Sequence, residues 1–372
     1  MQELLLAEII RTEERIRSLK KELKIINSET PCISDAKEKR SIFIKNRIEG
    51  LRRCAFIWRS FGDAIAFLYM DKYALKQTLY NIDNYNQKQS AGFISGKVGL
   101  SGELNFLNEL LKNGIPALLV DITNTIRHGD ICAMMGPDPI LVEVKAQKGK
   151  INPRGRKQAR GLAMLDTLFS TDKVDGLRGA QEIRRRELKV TEKNYLPLMN
   201  VCILNAMKED YSIESPEKGL LYVALGKNAP PIKDIFADIS FQPALTFVWN
   251  IKKSQQTWVP FTPFTLSIEN RDALWEFVQG EIFILVSLEI DRLIEIAKDY
   301  GTEINYDAKL DAEYPIQFKR GNELGFFGIS GQMIERIGFE CISPETLIHG
   351  VIETYRDLMQ QFPDTENYAE NN

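Results

Sequence analysis

His128-Gly129-Asp130-Ile131-Cys132-Ala133-Met134-Met135 runs into Gly136-Pro137-Asp138-Pro139 and leaves through Ile140-Leu141-Val142-Glu143-Val144-Lys145. The four middle residues all favour chain reversal. The flanks, residues 131–135 and 140–146, are rich in strand formers. The stretch therefore predicts a β-hairpin. It carries Asp130, Glu143 and Lys145 where strands are otherwise apolar. Glu143 and Lys145 are two apart, so both side chains leave one face. Folding about the turn puts Asp130 opposite roughly residue 145, and neighbouring strands lie ~5 Å apart. Asp130 and Glu143 then come within reach of one metal ion. Two acids and a lysine gathered on an apolar sheet are costly unless a cation or a substrate engages them.

The remaining composition narrows the chemistry. The chain has 372 residues, enough for two or three domains. Net charge is −3, so any affinity for nucleic acid must come from local patches. Five cysteines are scattered without a paired motif, which fits a reducing, cytoplasmic setting and speaks against zinc. Only two histidines occur, His128 and His349, so histidine metal sites and Ser-His-Asp catalysis have little to draw on. Gly96-Lys97-Val98-Gly99 lacks the spacing and hydroxyl of a phosphate-binding loop. No apolar run is long enough to predict a membrane span.

Around the hairpin, helical and strand patterns alternate. Leu5, Ile9, Thr12, Ile16, Leu19, Leu23 and Ile26 form a stripe at three- and four-residue steps, about three heptads. One reading is self-association, a homo-oligomer through N-terminal helices. The other is packing on the same chain. A second helical stretch runs over 35–80 with a break near Gly62, and 81–99 reads as a loop. A helix follows, with Ser101 as its cap and Glu103 on the face of Phe106, Leu107 and Leu110. A strand is expected over 117–123, then the hairpin, then a helix from Pro153 to about Phe169. Gln158 shares the face of Leu162 and Leu165 on that helix. Strands are expected over 201–206 and 220–225. Pro230-Pro231 marks a boundary. Beyond it come strands near 244–251 and 257–266, a long helix over 271–299, short strands near 314–319 and 324–329, and two helices over 331–337 and 344–361.

Asp130 followed across a turn by Glu143-Val144-Lys145 resembles the PD-(D/E)xK nuclease superfamily, the fold of restriction endonucleases. The likeness spans about a third of the chain, roughly 98–228. Acid-x-Lys triplets also occur at Glu22, Asp35, Glu187 and Asp307, but only the copy at Glu143 sits in an apolar strand with an acid across a turn. Gly129 stands where the superfamily usually has proline. The resemblance implies an α/β protein: residues 1–80 an N-terminal helical region with a possible coiled coil, 90–228 a restriction-endonuclease-like core with a mixed sheet flanked by helices, and 229–372 an α+β accessory domain.

The resemblance also implies a chemistry. Asp130, Glu143 and the Val144 carbonyl would hold Mg²⁺, with Mn²⁺ able to substitute. Lys145 would orient the attacking water or offset developing charge. Glu103 and Gln158 would complete the catalytic set, although a helix-dipole acid and a solvated glutamine are equally good readings of those two. Lys145, Lys148, Lys150, Arg154, Arg156, Lys157 and Arg160 give a local charge of +7 with no acid among them. Lys148 to Arg160 would contact phosphates. A solvated helix face is the alternative. DNA is the expected partner, with RNA left open. The expected activity is a Mg²⁺-dependent deoxyribonuclease, in the restriction or anti-phage setting common to the superfamily. The competing class is a nuclease-like module that binds or senses nucleic acid without turnover.

Overall fold

A computed structural model describes residues 1–28, 35–89, 92–144, 153–187, 189–237, 244–252, 258–306, 314–319 and 327–361. The protein is mixed α/β, and every strand pair among the described residues is antiparallel, so the expected mixed sheet is not what forms. The chain divides into two units, Met1–Arg186 with Gln255–Leu266, and Glu187–Ser254 with Ser267–Asn372. The division falls near residue 186, away from the expected boundaries at 80–90 and 228.

In the first unit, α1 (Gln2–Ser28) lies against α2 (Asp35–Tyr69), followed by α3 (Lys72–Gln77). The apolar stripe of α1 is covered by its own chain. Leu5 and Ile9 join the core with Ala66, Leu118 and Ile122. Ile16 packs with Ile44 and Ile48, and Leu19, Leu23 and Ile26 flank that cluster. The stripe therefore no longer argues for self-association. Gly62 does not break α2 as expected. A Cβ there would stand 2.0 Å from the Ile122 carbonyl oxygen, so glycine is what lets the loop approach the helix.

The site rests on the next elements: α4 (Leu100–Lys112), β1 (Ala117–Leu119), β2 (Ile131–Ala133), β3 (Ile140–Val142) and α5 (Pro153–Thr171). Helix α4 begins two residues early, with Gly99 rather than Ser101 at its cap. The strands form one sheet in the order β1-β2-β3. Ile131, Cys132 and Ala133 are fully enclosed, as their run of small and β-branched side chains suits. The expected strand over 117–123 stops at Leu119, and Val120–Ile122 turns as a 3-10 helix. A small hairpin, β4 (Lys173–Asp175) with β5 (Glu182–Arg184), closes the unit.

The second unit holds α6 (Leu196–Glu209), β6 (Tyr211–Glu217), β7 (Leu220–Leu225), β8 (Ala244–Trp249) and β9 (Phe283–Glu289), with sheet order β6-β7-β9-β8. The strand expected over 201–206 is part of α6. Met199, Cys202, Ile203 and Ala206 are buried at helical spacing, and Pro197 sits in the first turn. The strand expected over 220–225 forms, but in this sheet rather than beside the hairpin. The long helix expected over 271–299 is a helix, a central strand and a second helix. Asn270 caps the first helix, Gly280 ends it at φ 79°, and the β-prone run Phe283–Val286 enters the sheet. Residues 258–266 are not a strand; they belong to the first unit, where Trp258 and Phe264 stack edge to face. A three-stranded sheet follows, β10 (Glu303–Tyr306), β11 (Ile316–Lys319) and β12 (Phe327–Ile329), with closing helices at Gly331–Phe339 and Pro344–Gln361.

Candidate active site

The hairpin forms with its turn where expected. Its ladder pairs Ile131 with Val142 and Ala133 with Ile140, two residues nearer the turn than an Asp130–Lys145 pairing requires. A shift of two keeps each side chain on its face. The Asp130 N–H donates to the Val142 carbonyl at 2.8 Å. Gly129 has φ +77°, a conformation proline cannot adopt. A Cβ at Gly129 would also lie 2.9 Å from the Val142 oxygen. Glycine in place of proline is thus dictated by the backbone.

Five of the expected residues gather here in two hydrogen-bonded groups. The Val144 N–H donates to Asp130 Oδ2 at 2.9 Å, so the backbone of the second hairpin arm grips the first acid. Gln158 Nε2 donates to Glu143 Oε2 at 2.7 Å, which ties α5 to the strand end. Glu103, nearly inaccessible at 3%, turns inward from the first turn of α4. Lys145, Lys148 and Lys150 lie outside the described residues, as does the side chain of Arg154, although α5 carries its backbone.

Two further members were not anticipated. Lys97 Nζ stands 2.9 Å from the Glu103 carboxylate, 2.8 Å from Asp121 Oδ2 and 3.2 Å from Asp130 Oδ1. Asp121 is supplied by the 3-10 turn after β1. Asp121 had a visible signal, a single charge inside the apolar run Ala117–Ile122, the kind of signal that marked Asp130. Lys97 had none beyond its place between glycines before a helix.

Electrostatics follow from this crowding. Burial raises the pKa of Glu103, and the nearby Asp130 charge adds to it while Lys97 opposes it. Burial also raises Glu143, again with Asp130 contributing. Burial alone would lower Lys97, but its bonds to Asp121 and Glu103 and the Asp130 charge outweigh that and hold it above its ordinary value. The lysine is therefore an ammonium.

The N-terminal helices position these groups. Buried Glu13 on α1 accepts from Arg59 at 2.8 Å and from the Ser95 N–H at 2.9 Å. Arg59 also donates to the Asp121 carbonyl at 3.0 Å. Asp63 on α2 accepts from the Asn124 and Thr125 N–H groups at 2.9 and 2.8 Å, and burial lifts its pKa to about 6. These bonds fix the loops that present Lys97, Asp121 and Asp130.

A cleft of about 880 Å³ opens beside the network, lined among others by Lys88, Phe93, Lys97, Arg127, Asp130 and Gln158. On α5, Arg156, Lys157 and Arg160 are exposed, and Lys157 pairs with Asp83 at 2.6 Å. A second basic stretch, Arg184 to Lys193, is largely committed to structure. Arg185 binds Asp138 and Asp172, Arg184 binds Glu182, and Lys189 binds Asp357.

His128 is buried. Its Nε2 donates to the Tyr80 carbonyl at 2.9 Å, and Lys88 lies 3.3 Å from Nδ1. Burial and the Lys88 charge lower its pKa to about 4. The folded state thus excludes a proton that the unfolded chain binds near 6.5. Its stabilising contribution is present above 6.5 and is lost as pH falls toward about 4, on the order of 3 kcal/mol in all. Imidazole NMR titration checks this directly, since the chain has only two histidines. A His128 resonance titrating near 6.5 would contradict it.

The donor set suits a hard divalent cation in kind, being carboxylates and a carbonyl, and one of its acids, Asp130, already converges with Glu103 and Asp121 on a cation, the Lys97 ammonium. In this arrangement no three His, Cys, Asp or Glu side chains among the described residues stand where they could hold a metal by themselves. No helix among the described residues is long and apolar enough to cross a membrane. No family model, no curated protein and no solved structure matches this chain.

Proposed function

We propose that the protein is a Mg²⁺-dependent nuclease that hydrolyses phosphodiester bonds of DNA, on a restriction-endonuclease-like core within the first unit. The observation that carries this reading is that Asp130 and Glu103 share the Lys97 ammonium beside a cleft, while Gln158 donates to Glu143 on the neighbouring hairpin arm. Asp130 and Glu143, with the Val144 carbonyl, would hold the ion. A bound Mg²⁺ would supply Lewis acidity and lower the pKa of a water molecule. The chain's own groups would do the rest. Gln158 holds the Glu143 carboxylate in place, and the Val144 N–H fixes the Asp130 rotamer. Arg127 and Lys88 face the same cleft and would draw a phosphate toward the acids. Lys145 would orient the water, as the resemblance implies. A restriction or anti-phage role, and a cytoplasmic location, belong to the same proposal.

Digestion of end-labelled single- and double-stranded DNA and RNA, with Mg²⁺, Mn²⁺ or chelator, tests the reading. Cleavage of DNA that stops in chelator is expected. No cleavage of any substrate with either metal would favour the binding module instead.

The basic face of α5 makes a separate prediction. Replacing Arg156, Lys157 and Arg160 by glutamate should weaken binding to duplex DNA. Each lost phosphate contact should reduce the log–log salt slope by about 0.9. Anisotropy titrations over a salt series measure it, and an unchanged slope would make these residues a solvated surface.

A further inference from the structure

The Lys97 side chain uses all three N–H donors of its ammonium on Glu103, Asp121 and Asp130. One of these acids, Asp130, belongs to the proposed metal site. The nitrogen–oxygen distances of 2.8 to 3.2 Å are those of hydrogen bonds. Mg²⁺ needs oxygens at roughly 2.0–2.1 Å and six of them in octahedral order. Lys97 on Oδ1 and the Val144 N–H on Oδ2 already engage both Asp130 oxygens, so a divalent ion would compete with them. An ammonium and a divalent ion held by the same carboxylate also repel each other.

We propose that Lys97 is an internal cation that holds the carboxylates together in the metal-free protein and must withdraw before a divalent ion binds. This rests on the metal-dependent reading above and adds a control step to it. The local backbone supports such a switch in the side chain alone. Ser95 is fixed at its N–H by Glu13 and at its carbonyl by Arg17. The Ile94–Lys97 turn is closed by the Lys97 N–H on the Ile94 carbonyl, with Gly96 at φ +73°. The peptide chain is thus anchored while the four-carbon stem is free to rotate. The Lys97 side chain is 30% exposed and borders the cleft, so there is space for the ammonium to leave. Without it, Glu103, Asp121 and Asp130 would lose the ammonium they share, which favours capture of a metal.

The test is calorimetric titration of Mn²⁺ into full-length wild type and Lys97→Met, without nucleic acid. Methionine keeps much of the stem and removes the charge. The variant should bind Mn²⁺ at least about fivefold more tightly, the lower end of ordinary coupling between two ligands. Its melting temperature in chelator should fall below that of wild type. Equal or weaker Mn²⁺ binding by a folded variant overturns the latch and leaves the metal reading standing. No Mn²⁺ binding by either protein overturns the metal reading and the latch with it. Should Lys97→Met not fold, a structure of Mn²⁺-loaded wild type decides the question. Lys97 turned away from Asp130 supports the latch, and Lys97 still bonded to Glu103, Asp121 and Asp130 with Mn²⁺ seated overturns it.

Discussion

A chain beginning at residue 29 is expected to lose the folded state of the first unit rather than merely an oligomeric contact. Leu5, Ile9 and Ile16 of α1 are 3%, 0% and 1% exposed. Burying each contributes about 1.5–3 kcal/mol. Together they account for roughly 5–9 kcal/mol, an upper figure because denatured chains already bury some apolar surface. That matches the whole stability of an ordinary domain, about 5–15 kcal/mol. Glu13 would go as well, leaving Arg59 without its carboxylate and the Ser95 N–H without its acceptor. Thermal unfolding followed by tryptophan fluorescence, with limited proteolysis, checks the outcome. An unchanged transition would show that α1 is dispensable. Light scattering of the intact chain separately answers whether the protein self-associates.

Asp130→Asn and Glu143→Gln should each remove metal-dependent cleavage while leaving the fold in place. Changing an outer partner of a metal ligand costs about 10–100-fold. Removing a ligand should exceed that, because on the proposed reading the carboxylates would hold the ion directly. Both replacements keep shape and hydrogen-bonding atoms. Asparagine retains an acceptor for the Val144 N–H, so folding should survive. Gln158→Ala should fall within the outer-partner range, since Gln158 bonds Glu143, the residue that would hold the ion. The readout is initial cleavage rate at saturating Mg²⁺, with circular dichroism as the folding control. Wild-type rates in either acid variant would remove both residues from the chemistry.

The part of the site that could be read from sequence was its local part. Asp130 and Glu143 stood out because a charge in an apolar strand is costly, and a dense turn fixed them across a hairpin. Glu103 and Gln158 were placed by helical spacing against apolar neighbours, and both turn inward. Lys97 and Asp121 escaped because their roles arise from tertiary placement. One rides a loop held by α1, the other a 3-10 turn that replaces the end of a strand. The partner of the α1 stripe was equally out of reach, since amphipathic spacing says that a face is covered but not by what. Hydrophobic content misled twice. Over 201–206 the apolar run belongs to a helix, and over 283–289 a β-prone run was absorbed into a long helix although Gly280 offered a stop. The Pro-to-Gly difference at Gly129 became intelligible only from its positive φ.

The most direct test of the account is a wild-type crystal soaked in Mn²⁺ and measured for anomalous scattering. The account predicts a peak bridged by the Asp130 and Glu143 carboxylates, with Lys97 displaced toward the cleft. A peak elsewhere, or none at saturating Mn²⁺ with Lys97 still bonded to Glu103, Asp121 and Asp130, would contradict it.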